Sequence, residues 1–199
     1  MFEIKMFDKI YKASYITLNE YEGLVKNYTP ESILSIIETH VDGIDLTRTA
    51  AYLEGVFIQL WAHSLGELNQ TRDLDCVCGE HHVLDINYGF LTVPEETGFV
   101  YNIADIKIRF RYPRMFEDKD QIDMVMKCMV SVIEGAEEIP VDELSEASLE
   151  AVYALFSKDV IEHIIKELLA PKVVLAIPTG CGEIFKLSGL GDFMEAMNG

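Results

Sequence analysis

The chain has 199 residues, 49% of them hydrophobic, and its 16 Lys and Arg against 34 Asp and Glu give a net charge of −18. Such a charge repels a phosphate backbone over most of the surface, so nucleic acid is not an expected partner. No run of 18 apolar residues occurs, and Met1-Phe2-Glu3-Ile4-Lys5 has neither a basic start nor a long apolar stretch, so neither membrane insertion nor export by a signal peptide is expected.

The length suits one folded unit over residues 1–199. Tyr11 to Ile16 reads as extended, and Thr17-Leu18-Asn19-Glu20 is a capping box that starts a helix running to about Lys26. Thr29-Pro30-Glu31 places a capping residue before proline at the first helical position, and Ile33, Leu34, Ile36, Ile37 and Val41 supply one apolar face. Asp42-Gly43 closes that helix. From Thr47 to Ser64 the apolar residues Ala50, Leu53, Phe57, Leu60 and Trp61 predict the most buried helix of the first half, with Gly66 beyond its end.

From Leu68 the period changes to that of strands. Arms at 68–76 and 82–92 around Cys78-Gly79 predict a protruding hairpin. Ile106 to Tyr112 alternates strictly, with Lys107, Arg109 and Arg111 on one face; internal charge balance and contact with an acidic partner both explain a basic face in so acidic a chain. Asp118 to Ile133 reads as a helix, its stripe formed by Ile122, Val125, Met129, Val130 and Ile133. Seven acidic residues and no basic one lie between Glu134 and Glu150, a solvated face by default and a docking surface for a basic partner otherwise. Ser145 and Ser157 cap two further helices, Pro171 precedes a strand at Lys172 to Ile177, and residues 190–199 form a short amphipathic tail, tucked onto the core or offered to a partner. The expected class is α+β: a helical core (17–66 and 118–170) with a protruding β-hairpin and a small antiparallel, zinc-ribbon-like sheet built from 68–112 and 171–189.

The chemistry concentrates in one repeated tripeptide. Cys-Gly-Glu occurs at Cys78-Gly79-Glu80 and again at Cys181-Gly182-Glu183, each time ahead of a strand-like run, as in the two knuckles of a zinc ribbon. The pattern is incomplete, because Asp75 and Pro178 stand where a two-residue spacing wants cysteines. Cys76, Cys78, His82 (or its neighbour His81) and Cys181 still make four soft donors, enough for a structural zinc if the knuckles meet. Cys128 sits in an apolar stretch and reads as core. No Gly-rich phosphate loop, Gly-x-Ser-x-Gly elbow or His-Glu-x-x-His helix is present, so no enzyme and no small-molecule substrate is expected.

The order of these pieces resembles the small baseplate hub and hub-assembly proteins of T-even-like contractile-tailed bacteriophages. The likeness rests on the helix Leu46 to Ala62 followed by Ser64-Leu65-Gly66, on the hairpin with Cys76-Val77-Cys78-Gly79-Glu80, and on the close Pro178-Thr179-Gly180-Cys181-Gly182-Glu183 with Leu187-Ser188-Gly189-Leu190-Gly191-Asp192-Phe193. It implies a non-enzymatic structural or chaperone role, played through other baseplate and tail proteins, in the host cytoplasm during assembly or in the virion tail. On that reading Lys107, Arg109, Arg111, Leu190, Phe193 and Met194 are the candidate partner contacts. A small zinc-ribbon-like adaptor or regulator is the alternative.

Overall fold

The computed structural model describes residues 1–26 and 29–198. Two residues within the expected helical stretch 17–66 and the last of the tail therefore lie outside the description. The chain falls into two compact units, one made of Met1–Pro94 with Lys172–Gly199, the other of Glu95–Pro171.

The first unit begins with β1 (Phe2–Lys5) and β2 (Ile10–Ala13), an antiparallel pair in which Phe2 faces Ala13 and Lys5 faces Ile10. Helix α1 (Leu18–Lys26) starts as the sequence predicts: the Glu20 carboxylate accepts from the backbone and hydroxyl of Thr17 at 2.8 and 2.6 Å. Helix α2 (Pro30–His40) opens on Thr29, whose hydroxyl accepts from the Ser32 amide while Ser32 answers to the Thr29 amide. Helix α3 (Ala50–Leu65) has eleven of its sixteen residues buried and ends at Gly66, whose φ of +76° terminates the helix without side-chain strain. Buried Gln59 ties it to the sheet by pairing its amide with both backbone polar groups of Lys5, at 3.2 and 3.1 Å. Strands β3 (Asn69–Asp75) and β4 (His81–Asn87) then form the expected hairpin, in register from Asn69–Asn87 to Asp75–His81.

The second unit is a four-stranded antiparallel sheet with helices. Strands β5 (Phe99–Ile103) and β6 (Ile106–Phe110) are followed by helix α4 (Gln121–Cys128), β7 (Met129–Glu134), β8 (Glu137–Pro140), α5 (Glu146–Ala154) and α6 (Lys158–Leu168), with the strands in the order β5-β6-β7-β8. Ile108 and Phe110 on β6, Met124, Val125 and Cys128 on α4, and Ile164 and Leu168 on α6 meet in one core. Here the structure corrects the helix expected over Asp118 to Ile133. Helix α4 stops at Cys128, and Met129, Ser131 and Val132 turn inward from a strand. Val132 and Ile133 are β-branched and pair with Ile108 and Lys107 on β6, the register skipping Val130 at a bulge, and this pairing outweighs a helical stripe that short apolar runs imitate.

The chain returns to the first unit through β9 (Val174–Pro178) and β10 (Ile184–Ser188), a second antiparallel hairpin, and ends in helix α7 (Gly189–Asn198). Thr92 and Val174 exchange backbone hydrogen bonds at 2.7 and 2.9 Å. The tail is tucked in: α7 packs against α3, with Phe193 fully buried beside Tyr88 and Ala196 and Met197 buried below it.

Candidate metal centre

The two hairpins of the first unit carry nearly the same turn. Between β3 and β4, the Cys76 amide donates to the Glu80 carbonyl and the Gly79 amide to the Cys76 carbonyl, each at 2.9 Å. Between β9 and β10, the Thr179 amide donates to Glu183 at 2.8 Å and the Gly182 amide to Thr179 at 3.2 Å. Gly79 and Gly182 occupy the same left-handed backbone region, with φ of +85° and +91°, where a side chain would be strained. Superimposing these patterns puts Cys78 on Cys181 and Cys76 on Thr179, so the second knuckle is one thiol short.

The missing donor comes from β4. Cys76, Cys78, His82 and Cys181 bring one ligand atom each to within 4.8 Å of one another. Cys76 Sγ lies 3.6 Å from Cys181 Sγ, and His82 Nε2 lies 3.9 Å from Cys78 Sγ. Tetrahedral zinc with Zn–S of about 2.3 Å and Zn–N of about 2.0 Å needs donor separations of roughly 3.5–3.8 Å, so the sulfur–sulfur edge has the required length and the sulfur–nitrogen edge is a few tenths of an ångström longer. Three thiols and an imidazole form a soft set suited to zinc rather than to calcium or magnesium. All four residues expected to be ligands come together; His81 turns instead to Asp75 at 3.0 Å and Asp73 at 3.3 Å.

Thr179, which sequence reasoning missed, shapes the charge of the centre. Its buried hydroxyl lies 3.1 Å from Cys181 Sγ and 2.8 Å from the Glu183 carbonyl. Hydrogen bonding from Thr179, with the backbone at Glu183, brings the Cys181 thiol down to about 6. The backbone at Glu80 acts on Cys78 in the same sense, yet the neighbouring Cys76 and Cys181 thiols push it up to about 11. The two shifts run in opposite senses, down at Cys181 and up at Cys78, because each sulfur responds to the other's charge. The signal in sequence was the Thr-x-Cys-Gly-Glu that repeats the first knuckle's Cys-x-Cys-Gly-Glu.

The other candidate residues are placed as follows. Arg109 grips the Glu138 carboxylate with two hydrogen bonds of 2.8 and 3.3 Å, and Arg111 holds Glu117 at 2.7 and 2.9 Å, so both guanidiniums balance charge inside their own unit. Lys107 is exposed on the same strand. Leu190 is partly buried, and Met194 lines a groove of about 510 Å³ with Tyr21, Leu24, Val25, Trp61, Leu65 and Met197. Glu67 borders the same groove; its Oε2 and the Trp61 Nε1 are buried without hydrogen-bond partners among the described residues. His163 and Glu167 lie 3.9 Å apart, both about half exposed, as a surface pair.

A sequence model of the family described as T4 bacteriophage base plate protein matches residues 1–195. The chain is similar to the baseplate hub assembly protein gp26 of Enterobacteria phage T4, 34% identical over 205 aligned positions that cover 98% of each chain. No solved structure matches it significantly.

Proposed function

Because the chain belongs to the T4 bacteriophage base plate protein family, we propose that it is a hub-assembly protein of a phage tail baseplate, working through contacts with other baseplate and tail proteins in the host cytoplasm. The observation that carries this reading is the end-to-end likeness to a hub assembly protein, without large insertion or truncation. A role through protein contacts rather than catalysis is what that family likeness supports. The same likeness favours this reading over a stand-alone zinc-ribbon adaptor. Infection with phage lacking this gene tests it. Baseplates without central hubs are expected, and normal hubs would overturn the proposal. The protein's presence or absence in purified tails then separates component from chaperone.

The cofactor in this reading is one structural zinc held by Cys76, Cys78, His82 and Cys181, making the two hairpins a zinc-ribbon-like pair. The ion would supply cross-linking, since four protein donors complete its tetrahedron. The support is the convergence of donors from β3–β4 and β9–β10 with separations close to tetrahedral edges. Elemental analysis of protein purified without chelators should find about one zinc per chain. Zinc-free folded protein, or full zinc retention in Cys181→Ser, would refute it.

A further inference from the structure

We propose that the two knuckles present a docking surface for a cationic, apolar patch on another hub protein, an inference that rests on the hub-assembly reading and names the face it uses. Each knuckle exposes a large aliphatic side chain beside the donors. Val77, between Cys76 and Cys78, is 92% exposed; Val83, next to His82, and Ile184, three residues after Cys181, are each 64% exposed. The donor atoms converge to within 4.8 Å, which brings the Cys76–Cys78 turn that carries Val77 beside the Cys181 turn that leads to Ile184; Val83, opposite Asp73 in the register, lies on the other face of its strand from His82. Aliphatic groups gathered on an exposed hairpin tip mark a contact surface, whereas isolated ones do not.

Charge selects the occupant. Residues 73–83 and 178–185 contain Asp73, Asp75, Glu80 and Glu183, all exposed, and no Lys or Arg. Of the two histidines here, His81 sits between Asp73 and Asp75, and His82 Nε2 lies 3.9 Å from the Glu80 carboxylate. Three thiolates and a neutral imidazole around the divalent ion proposed above would add a further negative charge. A second copy of a chain with net charge −18 is repelled by such a tip, while a partner presenting Lys or Arg around an apolar depression fits both its charge and its aliphatic groups. Because the knuckles are held from two hairpins, the surface exists as a unit only when both are pinned together.

The test is complementation of phage lacking this gene with the full chain and its variants. Val77→Asp combined with Ile184→Asp is expected to lower phage yield by about 100-fold, the loss of a pair of interface anchors, while the purified variant keeps its far-ultraviolet spectrum and its metal content. Ile122→Asp, at an exposed position on α4, should complement like the wild type. If the aspartates release the metal, the uncharged Val77→Thr with Ile184→Thr is read in their place, with at least a tenfold loss expected. Normal yield from the knuckle variants would overturn the inference. A micromolar dimer that Val77→Asp dissociates would also overturn it, in favour of self-association. Normal hubs in the uncomplemented phage would instead sink the hub-assembly reading itself.

Discussion

Cys76 and Cys181 are 105 positions apart in the chain, and their sulfurs lie 3.6 Å apart. A metal bridging them closes a loop of about 100 residues, which removes roughly 4 kcal/mol of unfolded-chain freedom on a simple polymer scale. Cys181→Ser should therefore lower the melting temperature, remove its sensitivity to chelator and raise amide exchange in 69–87 and 174–188. Cys128→Ser is the contrast: the buried thiol lies among Ile108, Phe110 and Met124, so a hydroxyl there should destabilise by about 1–3 kcal/mol with zinc content unchanged. Differential scanning calorimetry with elemental analysis checks both.

The equivalence of Thr179 with Cys76 predicts a rescue. His82→Ala should lose metal, and adding Thr179→Cys should restore about one ion per chain by giving the second knuckle its own pair of thiols. Cobalt spectra report the change, because thiolate-to-cobalt bands grow as sulfur replaces nitrogen. A double variant that stays metal-free would show that the two turns are alike in hydrogen bonding only.

Glu20 links α1 to α2. The Thr17 hydroxyl, helped by the Thr17 amide and by His40 at 3.0 Å, holds the Glu20 carboxyl at about 2 against the desolvation that opposes ionisation. A group depressed from 4.5 stabilises the fold above its unfolded value and loses that contribution as pH falls from about 5 to about 2. Because the side chain is about one-third exposed, Glu20→Gln should reduce stability by about 1–2 kcal/mol at pH 7 after solvent screening, and by progressively less towards pH 3. Urea titrations at the two pH values measure the gap.

Phe193 is fully buried, with its ring 6.1 Å from that of Tyr88. Phe193→Ala should cost about 3–5 kcal/mol, through lost transfer energy and the cavity left behind. Chemical denaturation with Met194→Ala as the milder companion checks it, since Met194 borders an open groove.

The two arginine pairs should separate by burial. Arg109→Ala breaks an ion pair whose side chains are 42% and 45% exposed, and should change stability by less than about 1 kcal/mol. Arg111→Ala leaves Glu117, only 17% exposed, without its bidentate partner and should cost about 2–3 kcal/mol. Thermal unfolding of the single variants distinguishes them.

What the sequence disclosed depended on how local the cause was. The Thr17-Glu20 box and the caps at Thr29, Ser145 and Ser157 were legible because each is closed by residues a few positions apart. The four donors were legible because Cys-Gly turns announce knuckles, although only the fold brings residue 181 to residue 76. Strand β1 was not, since Phe2 and Ile4 are too few to show an alternation. Strand β7 was misread because Val130 and Ile133 fit a helical spacing until the pairing of Val132 and Ile133 with β6 decides. Thr179 was overlooked because its importance lies in a hydroxyl beside a sulfur, which spacing does not display.

The placement of the donors also orders events at the ribosome. Cys76, Cys78 and His82 leave the exit tunnel early, and Cys181 follows only after all of residues 95–171 have been made. A chain stalled anywhere in that stretch would hold three of the four proposed donors. A zinc held by all four, as proposed above, would thus be enclosed only after the intervening 77-residue unit, 95 to 171, has been translated in full.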